Sequence, residues 1–539
     1  MKKVLVNEIK LPVNVSESIE TLTGKVANNL KISKDEIKDL FIKKKSIDAR
    51  HKPEIFYVYS LVVSLGDNIA DKVLRNKNTS LYKEVLYNFP CDNKKNLEER
   101  PVIIGFGPAG LFCGYLLALH GFKPVIIERG SKVESRTQAV KEFWEGGKLN
   151  LNTNVQFGEG GAGTFSDGKL NTGVKDKYGR IGYMLDTFVK YGADKAITYI
   201  NKPHIGTDVL TGIISSMRRD MEEMGASFYF DTLMEDFYYE NGQISSISIL
   251  LPDGSHEEIK TNNVVLAIGH SARDTFKLLH KKGIDMQNKP FAVGYRVQHK
   301  QKLINDDQYG LGNAEKYNLP ASDYKLTYTS KDGHGVYSFC MCPGGYVVNA
   351  SSFDKKLTIN GMSYSGRDSD NANSAIVITV NEDDYGHQLF DGMKLQEELE
   401  TRSYNLADGK LVFQRYEDYK MGVASVDYGE VKPVCKGQSV AGSVRGVFSE
   451  VFENNFIEAM EYYGGRIKGF NDGDSLICAV ESRTSSPVKI IRDDGLEANI
   501  KGIYPCGEGA GYAGGITSAA VDGMKVAEQI AKNINLNYT

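Results

Sequence analysis

Pro101-Val-Ile-Ile-Gly-Phe-Gly-Pro-Ala-Gly-Leu-Phe-Cys-Gly-Tyr-Leu-Leu-Ala-Leu-His-Gly-Phe-Lys-Pro-Val-Ile-Ile-Glu128 decides the fold. Val102 to Ile104 form a short apolar run that reads as a buried strand, with Pro101 tolerated at its first residue. Gly105, Gly107 and Gly110 then spell G-x-G-x-x-G around Pro108 and Ala109, and Leu111 to Leu119 continue as an apolar helix. Pro124 to Ile127 reads as a second strand, closed by Glu128. Gly105 permits the tight turn, Gly107 lets the backbone approach a pyrophosphate, and Gly110 allows helix and strand to pack closely. The helix start offers unpaired N–H groups and a positive dipole end to phosphates. Glu128 stands near the offset at which an acid accepts from a ribose hydroxyl. A ligand-free strand–helix turn is the competing reading, but strand, glycines, helix, strand and acid in register favour an adenine dinucleotide.

The bulk numbers narrow the class. At 539 residues the chain has room for three or four domain-sized units. Its 41% hydrophobic and 25% charged content is that of an ordinary soluble globular protein. A net charge of −4 argues against a nucleic-acid footprint over the whole protein. No apolar run is long enough for a membrane span, and Met1-Lys-Lys-Val-Leu-Val-Asn-Glu turns polar too early for a signal peptide. Seven scattered cysteines suit a reducing cytoplasm rather than a disulfide framework, and none has zinc-ligand spacing, so no metal is expected.

Residues 1–98 are expected to form a small N-terminal α/β domain, ferredoxin-like in outline. Val4 to Val13 reads as a strand, and Ile19, Leu22, Val26 and Leu30 share a helix face. Ser33 and Glu36 have capping-box spacing before a short second helix, and Phe56 to Leu65 reads as a strand. The basic cluster Lys43, Lys44, Lys45, Arg50, His51 and Lys52 reads as a solvated turn, with a polyanion site as the alternative. The polar segment Cys91 to Arg100 reads as a linker. Residues 99–284 are expected to be the first part of a Rossmann-like FAD-binding domain, 285–430 an inserted β-rich substrate domain, and 431–539 the return to the FAD-binding domain. A helix is expected over 443–464, with Val447, Phe448, Val451, Phe452, Phe456 and Met460 on its apolar face.

Several further residues are candidates for the ligand. Arg129 and Arg136, just past the second strand, are either charge-assisted donors to the pyrophosphate or surface charges. Phe157-Gly-Glu-Gly-Gly-Ala-Gly-Thr-Phe-Ser-Asp-Gly-Lys-Leu170 is a loop whose backbone, at Gly160, Gly161, Gly163, Thr164 and Ser166, can lie against a flat ligand. Near the end, Gly502 to Gly523 gives a strand, an acidic turn (Gly507, Glu508) and a helix start (Gly515, Ile516). Glu508 suits a polyol hydroxyl, and the helix start suits negative charge on a reduced ring. Two glycine-rich segments so far apart in sequence must converge to serve one ligand, which favours FAD over NAD.

The pattern resembles a family of bacterial FAD-dependent dehydrogenases of uncharacterised substrate, flavoproteins of the two-dinucleotide-binding type, over nearly the whole chain. The matching stretches include Ile104-Gly-Phe-Gly-Pro-Ala-Gly-Leu-Phe, Gly158-Glu-Gly-Gly-Ala-Gly-Thr-Phe-Ser-Asp-Gly-Lys-Leu, Phe339-Cys-Met-Cys-Pro-Gly-Gly and Asn360-Gly-Met-Ser-Tyr-Ser-Gly-Arg. Val480-Glu-Ser-Arg-Thr-Ser-Ser-Pro-Val and Gly507-Glu-Gly-Ala-Gly-Tyr-Ala-Gly-Gly-Ile also match. The resemblance implies FAD at Gly105, Gly107, Gly110, Glu128, Thr164 and Glu508. It also implies that the hairpin excursion around Asn241-Gly242, followed by a return strand ending at Ala267 and Gly269, belongs to the FAD domain. One departure is Arg296-Val-Gln-His-Lys, where Arg-x-Glu-His-Pro is expected.

Flavin does the electron chemistry and the protein supplies position. Cys340, Cys342 and Cys506 are candidates for participation, each against the reading of a small buried thiol. On a strand Cys340 and Cys342 point the same way. Arg483 is either an anion-binding group or half of an internal salt bridge. No second strand–G-x-G-x-x-G–helix unit is present for NAD(P)H. Electrons then come from a small-molecule substrate, from a protein donor or acceptor, or from nicotinamide bound without that fingerprint. An FAD-dependent oxidoreductase acting on a small or lipid-like molecule is the leading expectation. An RNA-modifying flavoprotein and a non-catalytic FAD-binding module are the alternatives.

Overall fold

The computed structural model describes residues 1–93 and 97–536, and the chain divides into two compact units. The larger comprises residues 89–174, 205–304 and 323–536 among those described. In it, Pro101–Glu128 folds as strand Val102–Ile104, helix Pro108–Leu119 and strand Val125–Ile127. These strands lie in a five-stranded parallel sheet whose spatial order is Ile503–Pro505, Val264–Leu266, Val102–Ile104, Val125–Ile127, Ser227–Tyr229. The three central strands are all Val, Ile and Leu and fully buried, as a parallel sheet covered on both faces requires.

The order of connection reverses between Val102–Ile104 and Val264–Leu266. A doubly wound sheet of this kind opens a crevice beyond the carboxyl ends of its strands at that reversal. Gly105 turns the chain there with φ 95°, and a Cβ on it would collide with the Ala267 carbonyl oxygen of the neighbouring strand end. The chain's last helix, Ile516–Leu536, packs on Pro108–Leu119 so closely that a Cβ at Gly523 would strike the Ala109 carbonyl. This double cover explains why Pro108–Leu119 is buried almost all round rather than on one stripe. A three-stranded antiparallel sheet (Leu233–Glu240, Gln243–Leu250, His256–Lys260) leaves the parallel sheet after Ser227–Tyr229 and returns at Val264. Its first turn has φ 51° at Asn241 and 78° at Gly242, the geometry that Asn-Gly favours in a tight hairpin.

The β-rich part does not end at residue 430. Its seven-stranded sheet runs Thr327–Thr329, Gly335–Cys342, Asn371–Val380, Phe291–Lys300, Leu476–Glu481, Leu411–Arg415, Ser439–Ala441. Leu476–Glu481 therefore lies inside it, and the chain rejoins the parallel sheet only at Ile503. Phe291–Lys300 is buried on both faces, and Tyr295 packs edge-on against Tyr419, Phe448 and Phe456. The expected helix over 443–464 begins later, at Glu450, so Val447 and Phe448 precede it, and Val451 faces solvent. Gln298 explains its place: its amide donates to the Val434 carbonyl at 2.6 Å and accepts from the Val434 N–H at 3.1 Å, a pairing no carboxylate makes.

The smaller unit comprises Met1–Asn88, Lys175–His204 and Asn305–Ser322, so the N-terminal domain is not a continuous stretch ending at 98. Its first segment has the order strand Lys2–Pro12, helix Ile19–Leu30, strands Asp39–His51 and Glu54–Leu65, helix Asp67–Val73, strand Thr79–Leu81. Spatially the strands run second, third, first, fourth, all antiparallel, which is the ferredoxin-like arrangement. Ser33 and Glu36 do form a capping box, but on a single 3-10 turn. Lys43–Lys45 and Arg50–His51 lie on strand Asp39–His51 rather than in a turn. Lys45 pairs with Glu17 and sits 4.3 Å over the Tyr57 ring, so this part of the cluster is internally neutralised. The linker expected over Cys91–Arg100 includes residues 94–96, which lie outside the described residues. Among the described residues no helix is long and apolar enough to cross a membrane, and no group of three or more His, Cys, Asp or Glu is placed to hold a metal.

Candidate functional site

A cavity of about 360 Å³ opens at the strand-order reversal of the larger unit. Its floor is the glycine turn, Gly105, Gly107, Pro108 and Ala109, and one wall is Glu128 and Arg129. Gly161, Gly163 and Ser166 of the glycine-rich loop form a second wall. Ala267 and Gly269 follow strand Val264–Leu266, and Cys506, Glu508, Gly515 and Ile516 close the cavity from the C-terminal segment. The β-rich part of the unit contributes Cys340, Asn360, Glu481 and Arg483. The two glycine segments thus converge on one space, as their reading as a single clamp requires.

Other expected residues stand behind the walls. Arg136 is fully buried and lines nothing: its guanidinium donates to the carbonyls of Asn154, Val155, Gly158 and Glu159 at 2.7–3.1 Å. It holds the glycine-rich loop from beneath, and its reading as a pyrophosphate donor is corrected. A Cβ at Gly158 would occupy the space of Arg136 Cδ, which accounts for the glycine there. Thr164 is also fully buried, Gly110 is spent on packing against the Gly105 carbonyl, and Gly160 and Gly507 likewise lie outside the lining. Arg129 does reach the cavity, but is tied to Asp274 at 2.9 Å and stacked 4.5 Å over Phe157.

Glu128 is buried, and its carboxylate accepts three backbone N–H groups: Phe106 at 2.8 Å, Gly130 at 3.0 Å and Gly158 at 3.0 Å. It cross-links the motif turn, its own strand end and the glycine-rich loop. A carboxylate has about four acceptor positions, so a ribose hydroxyl remains compatible with this role.

The candidate catalytic groups separate sharply. Cys506 is fully buried, and burial with Asp522 beside it pushes its thiol well above the usual range, so it is a neutral thiol. Arg483 is an internal ion pair: it holds Glu400 through Nε at 2.8 Å and Nη2 at 2.9 Å, and donates to Ser271 at 3.1 Å and Ser352 at 2.6 Å. Arg273 holds the same Glu400 at 2.9 Å, and the two arginines keep that carboxyl low, at about 2, despite its burial. The strand bulges between Phe339 and Cys342, so the regular alternation that would put Cys340 and Cys342 on one face is broken there.

Sequence reading passed over His270, Lys169, Lys289 and the pair Arg296–Glu481. His270 lines the cavity; burial and the two neighbouring arginines push its imidazole down to about 3, so it is neutral. Its Nε2 is buried with no hydrogen-bond partner among the described residues. Glu508 is pushed up to about 7 by burial, with Lys289 pulling the other way, so it exchanges a proton near neutrality. Their signals are positional: His270 follows Gly269 directly, and Lys169 stands one residue before the end of the quoted loop.

These features fit a dinucleotide. The helix Pro108–Leu119 has no side-chain cap at Gly107, leaving its first N–H groups to the cavity. A Cβ at Gly514 or Gly515 would meet nothing, so the second helix start is equally open. The orphaned Nε2 of His270 waits for a polar partner from the cavity side.

The comparisons agree. A family model described as FAD-dependent protein, C-terminal domain-like, matches residues 290–484. An uncharacterized protein of Clostridium beijerinckii is 41% identical over 541 positions, covering 98% of this chain and 99% of that one. The chain belongs to this family of FAD-dependent proteins. The N-terminal 1–64 of the flavoprotein match a domain of unknown function. Among solved structures, a triple mutant of the flavin-dependent brominase Bmp2 is 14% identical, covers 81% of each chain and superposes with a TM-score of 0.39. A geranylgeranyl bacteriochlorophyll reductase-like protein of Thermoplasma acidophilum is 12% identical over 81% of this chain and 79% of its own, with a TM-score of 0.37. Likenesses this distant say nothing about the flavoprotein's reaction.

Proposed function

We propose that the flavoprotein is an oxidoreductase that transfers electrons between FAD and a small organic molecule. The observation that carries this reading is the one cavity in which the motif turn, the glycine-rich loop and the C-terminal glycine segment meet Cys340, Asn360, Glu481 and Arg483 of the β-rich part. A purely cofactor-storing module needs only the first three. Bound FAD supplies the hydride or single-electron chemistry.

The chain's own residues do the rest. The uncapped N–H groups at Ala109–Gly110 and the open start at Gly515–Ile516 receive negative charge at the helix ends. Glu128 holds the motif turn and the glycine-rich loop at fixed separation. Glu508, titrating near neutrality, takes or gives a proton at its carboxyl oxygen, and neutral His270 offers Nε2.

The test is the visible spectrum of the purified protein before and after anaerobic NADPH or NADH. A flavin spectrum that bleaches supports a nicotinamide-dependent reductase. One that bleaches only with a small-molecule donor supports a dehydrogenase. Flavin that no reductant turns over means a non-catalytic module, and protein that stays colourless with added FAD overturns the reading entirely.

A further inference from the structure

On the β-rich side of this cavity stands a charged cluster that dinucleotide binding does not call for. Strand Gly335–Cys342 pairs with Asn371–Val380 in register up to Phe339 opposite Ala375, then resumes with Cys342 opposite Asn373, carrying one extra residue. The bulge leaves Cys340 at φ 45°. A non-glycine residue stays in that region only where its surroundings hold it, and bulges beside sites re-aim side chains. Cys340 reaches the cavity wall, while Cys342 is fully buried with its Sγ 3.2 Å from the Cys340 carbonyl oxygen and 4.0 Å from Arg296 Nη1. Both thiols are free.

The charges around them do not balance. Arg296, fully buried, donates to the Cys340 carbonyl at 3.2 Å and to Asn373 at 2.7 Å, and holds Glu481 through two bonds of 3.0 Å. Lys169 donates to the Met341 carbonyl and pairs with Asp167 at 3.1 Å. Arg367 pairs with the same buried Asp167, through Nε at 3.1 Å. Three cations thus meet two carboxylates. Glu508, the remaining acid near Cys340, holds its proton up to neutrality. Arg296 alone of the three is fully buried; Lys169, part-exposed, lines the cavity, so the excess positive charge stands at its wall.

We propose that Cys340 rests as a thiolate, matching the excess positive charge, with Cys342 as its thiol partner, and that it is the cavity's nucleophile toward a small molecule bearing an electron-poor carbon–carbon double bond: the C–S bond forms as the π bond opens, and the carbon left with the electron pair takes a proton from solvent. The assignment rests on this cavity being the reaction site. Thiol acidity runs the same way: the hydrogen bond with Cys342 and the charges of Lys169 and Arg296 pull Cys340 down to about 5 against its burial. Burial pushes Cys342 well above the ordinary range, so the proton of the pair resides there. Thiolate, not thiol, is the reactive form.

Iodoacetamide probes the assignment on the protein as purified: the sulfur forms a C–S bond as the C–I bond breaks and iodide leaves. Site-resolved mass spectrometry follows the rate from about pH 5 to 9, beside the ultraviolet thiolate absorbance of wild type minus Cys340→Ser. Cys340 is expected to react first, its rate levelling off by neutrality. Lys169→Met is expected to move that rise upward by about one pH unit, slowing alkylation roughly ten-fold at acidic pH; Cys342→Ala serves should Lys169→Met misfold. Where bound flavin shields the sulfur, the absorbance difference decides alone. A thiolate signal that climbs only around the ordinary thiol range near pH 8.5 overturns the proposal. Flavin content, measured in parallel, separates this failure from that of the FAD reading, since the thiolate readout needs no flavin.

Discussion

Glu128 is a side chain with two claims on it. A ribose acceptor loses its function when removed and little else. A carboxylate that accepts from Phe106, Gly130 and Gly158 leaves three buried N–H groups stranded, each costing on the order of 1–3 kcal/mol. Glu128→Ala is therefore expected to lower the melting temperature of flavin-free protein by several degrees and to reduce bound flavin. Flavin loss at an unchanged flavin-free melting temperature would return the residue to the ligand alone. Glu508 gives a pH signature. Its carboxyl is raised from 4.5 to about 7 in the folded chain. Between those values the folded state keeps a proton that the unfolded state has released, so this group's contribution is present below about pH 4.5 and is lost as pH rises through about 7. Flavin-free wild type is expected to lose more stability than Glu508→Gln between about pH 5 and 8; parallel curves would mean that the carboxyl titrates normally.

At the scale of elements, one side chain holds four carbonyls at the start of the glycine-rich loop. Arg136→Met removes the donors to four carbonyls of 154–159, and Gly158→Ala puts a methyl where Arg136 Cδ lies. Both are expected to release the same loop, lowering flavin content and stability, and the double variant is expected to be no worse than the more damaged single one. Additive losses in that double-mutant cycle would show two separate roles. Arg136 also marks what the sequence reveals and what it hides. Local rules reached the motif strand, helix and turn, because glycine spacing and apolar runs are written within about 30 residues. They also reached the Asn241-Gly242 hairpin. An arginine beyond the second strand carries no local sign that its partners will be carbonyls rather than phosphates. The same blindness applies to Cys340, since the bulge that re-aims it depends on pairing with a strand some 30 residues later.

For the whole molecule the boundaries are the least legible feature, since composition shifts mark linkers but not which distant segments a core recruits. The smaller unit shows this. Its sheet and the core beneath it are encoded in residues 2–81, but a second apolar cluster and part of its edge pairing are not. Lys45 N–H donates to the Tyr199 carbonyl at 2.8 Å and its own carbonyl accepts from Asn201 at 2.9 Å. Ile55 packs with Tyr309, Ala314 and Leu319, and Tyr87 lies 4.8 Å from Tyr183. A detachable N-terminal domain would leave a sound remainder when cut away. Here, deletion of residues 1–88 bares the apolar faces of 175–204 and 305–322 and unpairs the backbone of Tyr199 and Asn201. The 89–539 chain is expected to aggregate or to bind a hydrophobic dye at temperatures where the full chain does not. A soluble 89–539 monomer that melts with the full chain's profile would mean that those two segments are held without the N-terminal strands, and that the unit boundary lies where the sequence alone had put it.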